Sequence, residues 1–396
     1  MYATLYDLFL DLLGLDLPFL KIANTFGFFV AVSFLITSYV MGLELKRKEK
    51  EGLVKPTFEM RWFGKSYNAM DYAVSGFFGF LIGFKIIPLL FGLIEVDNPQ
   101  DFLLSIQGNW IWGIVAAALS IALKFREDKK QRLEISLEKE VTVHPFEHMG
   151  TITMIALISG IIGAKLFHNL ENWNDFMIDP IGQLTSFSGL TFYGGLIFGA
   201  IGVIWYAYKK KIAPLHMLDV GAPTMMLAYC IGRMGCHMSG DGDWGIANTS
   251  PKPNWLSWAP DWLWAYDYPN NVNNDGEAIA GCIGDHCSHL VPSVYPTPLY
   301  EIMMAGMLFF VLWKLRKKVH IPGVLFGIYM ILNGIERFFI EKIRVNTKVW
   351  GTEITQAEVI SSLFILGGIG MITVLYKMKK AKLLLAKTQS EKEEEE

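Results

Sequence analysis

GRMGCHMSGDGDWG, residues 232–245, follows the apolar run 216–231, so the chain passes here from a membrane-like segment into glycines and charges. An arginine at the mouth of such a segment needs a partner. Desolvating an unpaired guanidinium costs roughly several kcal/mol, which makes Arg233 a functional candidate by position alone. Gly232, Gly235, Gly240, Gly242 and Gly245 let the backbone approach an anion closely and accept positive φ. A phosphate suits such a site.

Working outward, the chain has 396 residues, of which 52% are hydrophobic and only 18% charged, with a mean hydropathy of +0.32. A membrane-spanning helix needs about 20 mostly apolar residues. Nine stretches qualify as candidates: 22–43, 71–93, 109–123, 150–168, 190–208, 215–233, 298–313, 322–340 and 356–376. The expected fold is therefore an all-α polytopic integral membrane protein. Lys and Arg near helix ends are retained on the cytoplasmic side. Basic clusters follow the first, third, fifth, seventh and ninth stretches, whereas 94–107 and 169–184 hold no Lys or Arg. This alternation predicts an outside N-terminus and an inside C-terminus.

The net charge of −3 reflects the acidic tail offsetting the basic loops, and it implies no nucleic-acid partner. The first 21 residues lack a basic n-region, which argues against a cleaved signal peptide. They read instead as an interfacial amphipathic segment.

A two-helix unit starting near Glu59 recurs about 80 residues later. Ile82-Gly83-Phe84-Lys85 matches Ile162-Gly163-Ala164-Lys165, and Gly108, Trp112 and Gly113 match Gly189, Tyr193 and Gly194 one residue out of register. Duplication of one hairpin is the simplest account, because two added helices preserve the sidedness of everything downstream. Each copy carries a lysine in the outer half of a helix. Lys165 either snorkels to the surface or meets a phosphate or carboxylate. Tyr193 reads either as an interfacial belt aromatic or as a buried hydroxyl in need of a partner.

Asp219 lies near the inner end of the sixth stretch, placed to cap or to pair with a lysine. The long connection 236–297 holds Trp244, Trp255, Trp258, Trp262 and Trp264, fitting a cap on lipid headgroups or a small external domain. Cys282 and Cys287 suit an external disulfide. With His286 and His289 they also offer zinc-type ligands, but in a spacing that matches no common structural site. No metal or cofactor is expected. Glu301 enters the bilayer and needs an arginine partner. Arg337, Glu341 and Arg344 are spaced i, i+4, i+7, so they share one helical face, where the carboxylate can orient both guanidiniums as half of an anion clamp.

In order along the chain, these pieces resemble the prolipoprotein diacylglyceryl transferases of bacterial inner membranes. The resemblance rests on residues 189–195 (GLTFYGG), Asp219 with Ala222-Pro223, Gly232-Arg233-Met234-Gly235, Pro296 to Leu299-Tyr300-Glu301, and Arg337 through Glu341 to Arg344. It implies the family's seven helices plus the duplicated hairpin. The implied activity moves a diacylglyceryl group from phosphatidylglycerol to the lipobox cysteine thiol of a preprolipoprotein signal peptide, among the lipids of the inner membrane, releasing glycerol phosphate. Arg233 and Arg337 would then bind phosphate, with Lys165, Asp219, Gly235, Asp241, Tyr300, Glu301, Glu341 and Arg344 as further substrate-binding residues. Segments 131–235 and 298–380 would form the transferase core, 22–130 the first helix and extra hairpin, 236–297 the external loop, and 381–396 a disordered acidic tail.

The family's usual histidine is replaced by Tyr193, its asparagine by Cys236, its phenylalanine by His237 and its glutamine by Pro298. Its glutamate is replaced by Asp241 in a signature one residue longer. Only a few per cent of a free thiol is ionised at neutral pH, so the nucleophile needs a base. His237, with Tyr193 as its hydrogen-bonding partner, is the expected one. A transporter or channel for an anionic solute is the competing reading. Against it, the repeat is confined to one hairpin instead of relating two halves of the chain.

Overall fold

The computed structural model describes residues 1–94, 102, 105–133, 136–186, 189, 191–345 and 354–395. Leu190, within the glycine-rich stretch 189–195, lies outside them.

After the short amphipathic helix α1 (Leu5–Leu13), α2 (Thr25–Lys50) starts where the Asn24 side chain accepts the N–H groups of Phe26 and Gly27, an N-cap. Its 26 residues extend about 39 Å and end in Arg47, Lys48 and Lys50. A first helical hairpin comprises α3 (Ala69–Leu90), which contains a π-helical turn at Ile82–Ile86, and α4 (Trp110–Gln131). The core continues with α5 (Met149–Glu171), α6 (Phe192–Lys209), α7 (Pro214–Ser239), α8 (Thr297–Leu315), α9 (Val324–Glu341) and α10 (Gln356–Glu395). Five of these segments are long and apolar enough to cross a membrane: Thr25–Lys50, Ala69–Leu90, Pro145–Glu171, Thr297–Leu315 and Gln356–Leu385. Side chains such as Phe77, Phe78, Ile111 and Ile161 stay more than half exposed, the outward apolar surface that a bilayer covers.

Three details depart from the sequence reading. The fold is not purely helical: β1 (Thr57–Phe63) pairs antiparallel with β2 (Leu137–Val143), Thr57 opposite Val143, and ties both ends of the hairpin unit together. The expected tail from 381 continues α10 to Glu395. Most consequentially, α7 does not break at Gly232. It runs on to Ser239 and ends where Gly240 adopts φ +65°, a left-handed C-cap.

The two hairpins cross in the same way. A Cβ on Gly83 would lie within van der Waals overlap of the Trp112 carbonyl, and one on Gly163 would overlap the Gly194 carbonyl. Both crossings therefore bring backbones together where only glycine fits. Both lysines turn to the loop that follows their own helix: Lys85 donates to the carbonyls of Phe102, Ser105 and Gln107, and Lys165 to the carbonyl and hydroxyl of Ser186 at 3.0 Å.

The basic helix ends gather at one end of the bundle. Arg316 at the end of α8 pairs with the fully buried Glu44 of α2 (2.7 Å), and Lys210 after α6 pairs with Glu59 of β1 (2.6 Å). Above them lies a core of Leu45, Met149, Ile152, Met217 and Val220, followed by Met226, Cys230, Ala305, Leu325 and Tyr329 between α7, α8 and α9.

Candidate active site

At the other end of the bundle, α7, α8 and α9 bring three arginines onto one carboxylate. Glu301, in the first turns of α8, has no exposed surface. Its Oε2 pairs with Arg233 Nε at 2.8 Å, and its Oε1 with Arg337 Nη1 at 3.0 Å and Arg344 Nη1 at 3.3 Å. Asp243, in the loop after α7, closes the far side by pairing with Arg233 and with Arg344 Nη2 at 2.6 Å. Glu341 takes Arg337 Nη2 at 3.2 Å, one turn along α9. The guanidiniums of Arg233, Arg337 and Arg344 are thus balanced by the carboxylates of Glu301, Asp243 and Glu341.

Local structure explains the convergence. Beyond α9 the chain turns back, and Arg344 forms an antiparallel bridge with Gly245, where Ile246 donates to the Ile343 carbonyl at 2.9 Å. A Cβ on Gly245 would overlap that carbonyl, so the close approach requires glycine. Thr297 anchors the same loop from α8 through its hydroxyl, 2.9 Å from the Asp243 carbonyl. The Arg344 side chain is 8% exposed, against 15% for Arg233 and 24% for Arg337. Arg344 is therefore the buried brace, while Arg233 and Arg337 keep more exposed side-chain surface, and their planar N–H forks suit phosphate oxygens.

Burial pushes the Asp243 carboxyl up, but the guanidiniums of Arg233 and Arg344 outweigh it and hold it at about 2. A carboxyl depressed on folding stabilises the native state above its unfolded value of about 3.9, and that contribution disappears as pH falls through the folded value. The clasp is thus complete at neutral pH. Thermal unfolding should show a loss of stability between about pH 4 and 2 that Asp243→Asn lacks.

A model of the family described as prolipoprotein diacylglyceryl transferase matches residues 113–374. The chain belongs to this family. The match begins inside α4, so it takes in the second helix of the first hairpin but neither α2 nor α3. Among similar proteins is the phosphatidylglycerol–prolipoprotein diacylglyceryl transferase of Leptospira interrogans serogroup Icterohaemorrhagiae serovar copenhageni (strain Fiocruz L1-130). It is 27% identical over 228 residues, covering 52% of this chain and 64% of that protein. The same-named protein of Streptococcus pyogenes serotype M5 (strain Manfredo) is 27% identical over 230 residues, 57% of this chain and 78% of that one. The chain thus spans somewhat less than two thirds of the Leptospira relative's length.

Of the residues singled out from sequence, the cluster of this family member brings together Arg233, Arg337, Glu301, Glu341 and Arg344. Tyr193, at the start of α6, lies within electrostatic reach of Arg337, Glu341 and Arg344. The others stand elsewhere. Asp219 is fourteen residues before Arg233 on the continuous α7, about 21 Å away along the axis. It caps α9, accepting the N–H groups of Gly323 (2.8 Å) and Phe326 (3.1 Å). Gly235 packs against Phe26 and Phe29 of α2, so it is a helix-contact glycine and not an anion cradle. Tyr300 donates to the Leu263 carbonyl at 2.8 Å, pinning the loop between α7 and α8, and Lys165 is held by Ser186 as described.

His237 sits one turn beyond Arg233, but its Nδ1 faces the hydroxyl of Tyr268 at 3.3 Å, in an aromatic cluster with Tyr266 and Trp244. The partner expected for it, Tyr193, is replaced there by Tyr268. Cys236, three residues past Arg233, is the neighbour that approaches the guanidinium, with Sγ 3.6 Å from Nη1. Asp241 accepts the Asp243 N–H at 3.4 Å, and it is Asp243 that reaches the arginines. Both aspartates stand in the glycine-rich stretch after α7, two residues apart, so their spacing alone did not separate the one that reaches the arginines. In the loop between α7 and α8, Cys282 and Cys287 are disulfide-bonded, and Trp255 and Trp258 are exposed.

Two further groups border the cluster. Glu336, 4% exposed on α9, has neither oxygen hydrogen-bonded among the described residues, and the buried Tyr229 hydroxyl likewise has no partner there. Tyr229 lies beneath Arg233, whose guanidinium is 5.3 Å from its ring centroid. The contrast between the two glutamates is testable. Glu301→Gln leaves three guanidiniums with only the carboxylates of Asp243 and Glu341 and should cost about 3–5 kcal/mol, as for a broken buried pair. Glu336→Gln removes no ion pair and should leave the melting temperature in detergent close to that of the parent.

Proposed function

We propose that this protein transfers the diacylglyceryl group of phosphatidylglycerol to the lipobox cysteine thiol of a preprolipoprotein in the bacterial inner membrane. Sulfur forms a bond to the glycerol carbon, the bond from that carbon to the phosphate oxygen breaks, and glycerol phosphate departs with the electron pair. The thiol proton passes to a base. The observation that supports this reading is the convergence of Arg233 and Arg337, both still partly exposed, on the buried Glu301.

Such a pair addresses the charge that grows on the leaving phosphate. Donors already aimed by Glu301, Asp243 and Glu341 need no reorganisation when that charge appears, and a water-poor site strengthens each contact. Because the cluster is charge-balanced, the lipid phosphate is not trapped as a tight ground-state salt. Added charge in the transition state gains more than the resting lipid does.

For the thiol proton we propose His237. If its Nδ1–H donates to the Tyr268 hydroxyl, Nε2 keeps its lone pair and serves as the acceptor. Tyr193, on the Arg337 side, then orients substrate. On our reading of nine spanning helices with an outside N-terminus, this cluster belongs at the outer face, where a lipobox thiol emerges. The hairpin of α3 and α4 is read as a duplicated copy of α5 and α6.

The test is release of glycerol phosphate from phosphatidylglycerol labelled in its headgroup, by purified protein in vesicles. Release should require a lipobox peptide with a free thiol and vanish with the cysteine-to-serine peptide. A transporter of anionic solutes would instead move label across the vesicle wall without cleaving the lipid, and that result would replace the proposal.

A further inference from the structure

At the end of the bundle opposite the arginine cluster, the last turn of α2, the first turn of α7 and the loop from α8 to α9 enclose a cavity of about 240 Å³. That is room for several waters or one tetrahedral anion, since a water occupies about 30 Å³. Its wall is rich in cations, but two of them are committed. Arg47 is spent on Glu44 (2.5 Å) and Glu51 (2.6 Å), and Arg316 on Glu44 (2.7 Å).

Lys48 is not committed in this way. It is 5% exposed and lines the cavity. Its ammonium has no hydrogen-bond acceptor among the described residues, and the nearest carboxylate, Asp219, stands off at 3.8 Å with both oxygens engaged by α9 backbone N–H groups. Beside it, His216 Nδ1 is buried and without a partner among the described residues. Lys317 and His320 stand exposed on the rim.

Lys48 is buried along its length while it lines the cavity, so an anion entering there meets a cation whose nearest carboxylate stands 3.8 Å away. We infer that this cavity binds a phosphate group, contacted by Lys48 inside and by Lys317 and His320 at the mouth. A phosphate offers enough acceptor oxygens to meet an ammonium, an imidazole and the rim at once, which a carboxylate does not. The group is carried either by an anionic phospholipid of the adjoining leaflet or by a soluble phosphate compound. The site is remote from the arginine cluster and independent of the transfer reaction.

The experiment titrates inorganic phosphate into the full-length protein in neutral detergent by calorimetry, in an Arg337→Ala background that disables the outer cluster. Adding Lys48→Met should weaken binding about tenfold or more, the scale of a lost charge-assisted hydrogen bond. Lys317→Ala with His320→Ala, both on the surface, should weaken it several-fold and gives the readout should Lys48→Met fail to fold. Native mass spectrometry after extraction from phosphatidylglycerol nanodiscs separates the sources. Loss of one retained lipid in Lys48→Met identifies the headgroup, and an unchanged lipid count with weakened phosphate binding identifies a soluble compound. Phosphate binding unaltered by the Lys48 variant, or by the rim pair, overturns the inference.

Discussion

Arg233→Ala and Arg337→Ala should each lower transfer by about 10³ or more, the scale seen when a preorganised donor to a developing anion is removed. Arg337→Lys should recover little of this. A lysine is a point charge without the planar fork, and it would give up one of two simultaneous partners, Glu301 Oε1 at 3.0 Å and Glu341 Oε2 at 3.2 Å. Arg344 provides the contrast, since its side chain is 8% exposed and sits between Asp243 and Glu301. Arg344→Lys should lower the melting temperature along with activity. Turnover rates at saturating phosphatidylglycerol, compared with melting temperatures, separate the two roles. If Arg337→Lys kept near-parental turnover, Arg337 would be only a structural partner of Glu341.

The second large effect is expected at His237. His237→Phe should slow transfer by about 10²–10⁴, the range for losing a general base, and should remove from the pH profile of turnover the acid limb that belongs to the imidazole. The same change deprives the fully buried Tyr268 hydroxyl of its partner, which costs stability by itself. Tyr268→Phe is the matching control, because it breaks the hydrogen bond but keeps the imidazole, and the acid limb should survive. Tyr193→His in the His237→Phe background should restore activity by returning a histidine to the other side of the cluster. A fully active His237→Phe beside an inactive Tyr193→Phe would transfer the proton-accepting role to Tyr193.

Much of this was legible in the sequence because charge in an apolar run has few outlets. Glu301 and Arg233 each demanded a partner, and each is the other's, at 2.8 Å. The i, i+4 spacing likewise placed Glu341 against Arg337, but α9 ends at Glu341, so Arg344 leaves the shared face and pairs with Asp243 and Glu301. What could not be read depended on where a helix stops and how it is turned. Once α7 continues to Ser239, Asp219 belongs to the far end of the bundle, and Gly235 faces α2 instead of an anion. Rotation about the same axis turns Cys236 toward Arg233 and His237 toward Tyr268. Asp243 gained its role from the bridge between Gly245 and Arg344, a contact across about 100 residues that no local pattern announces. Glu336 escaped notice beside Arg337 because its isolation is a property of the packed interior.

The central claim is that this protein joins a diacylglyceryl group to a cysteine thiol. The most direct measurement is mass spectrometry of a lipobox peptide after incubation with the purified protein in phosphatidylglycerol vesicles. The account predicts a peptide heavier by one diacylglyceryl group in thioether linkage at the cysteine, stable to hydroxylamine and absent with Arg337→Ala. An unmodified peptide after incubation with folded protein, or a product in a hydroxylamine-labile thioester, would contradict it.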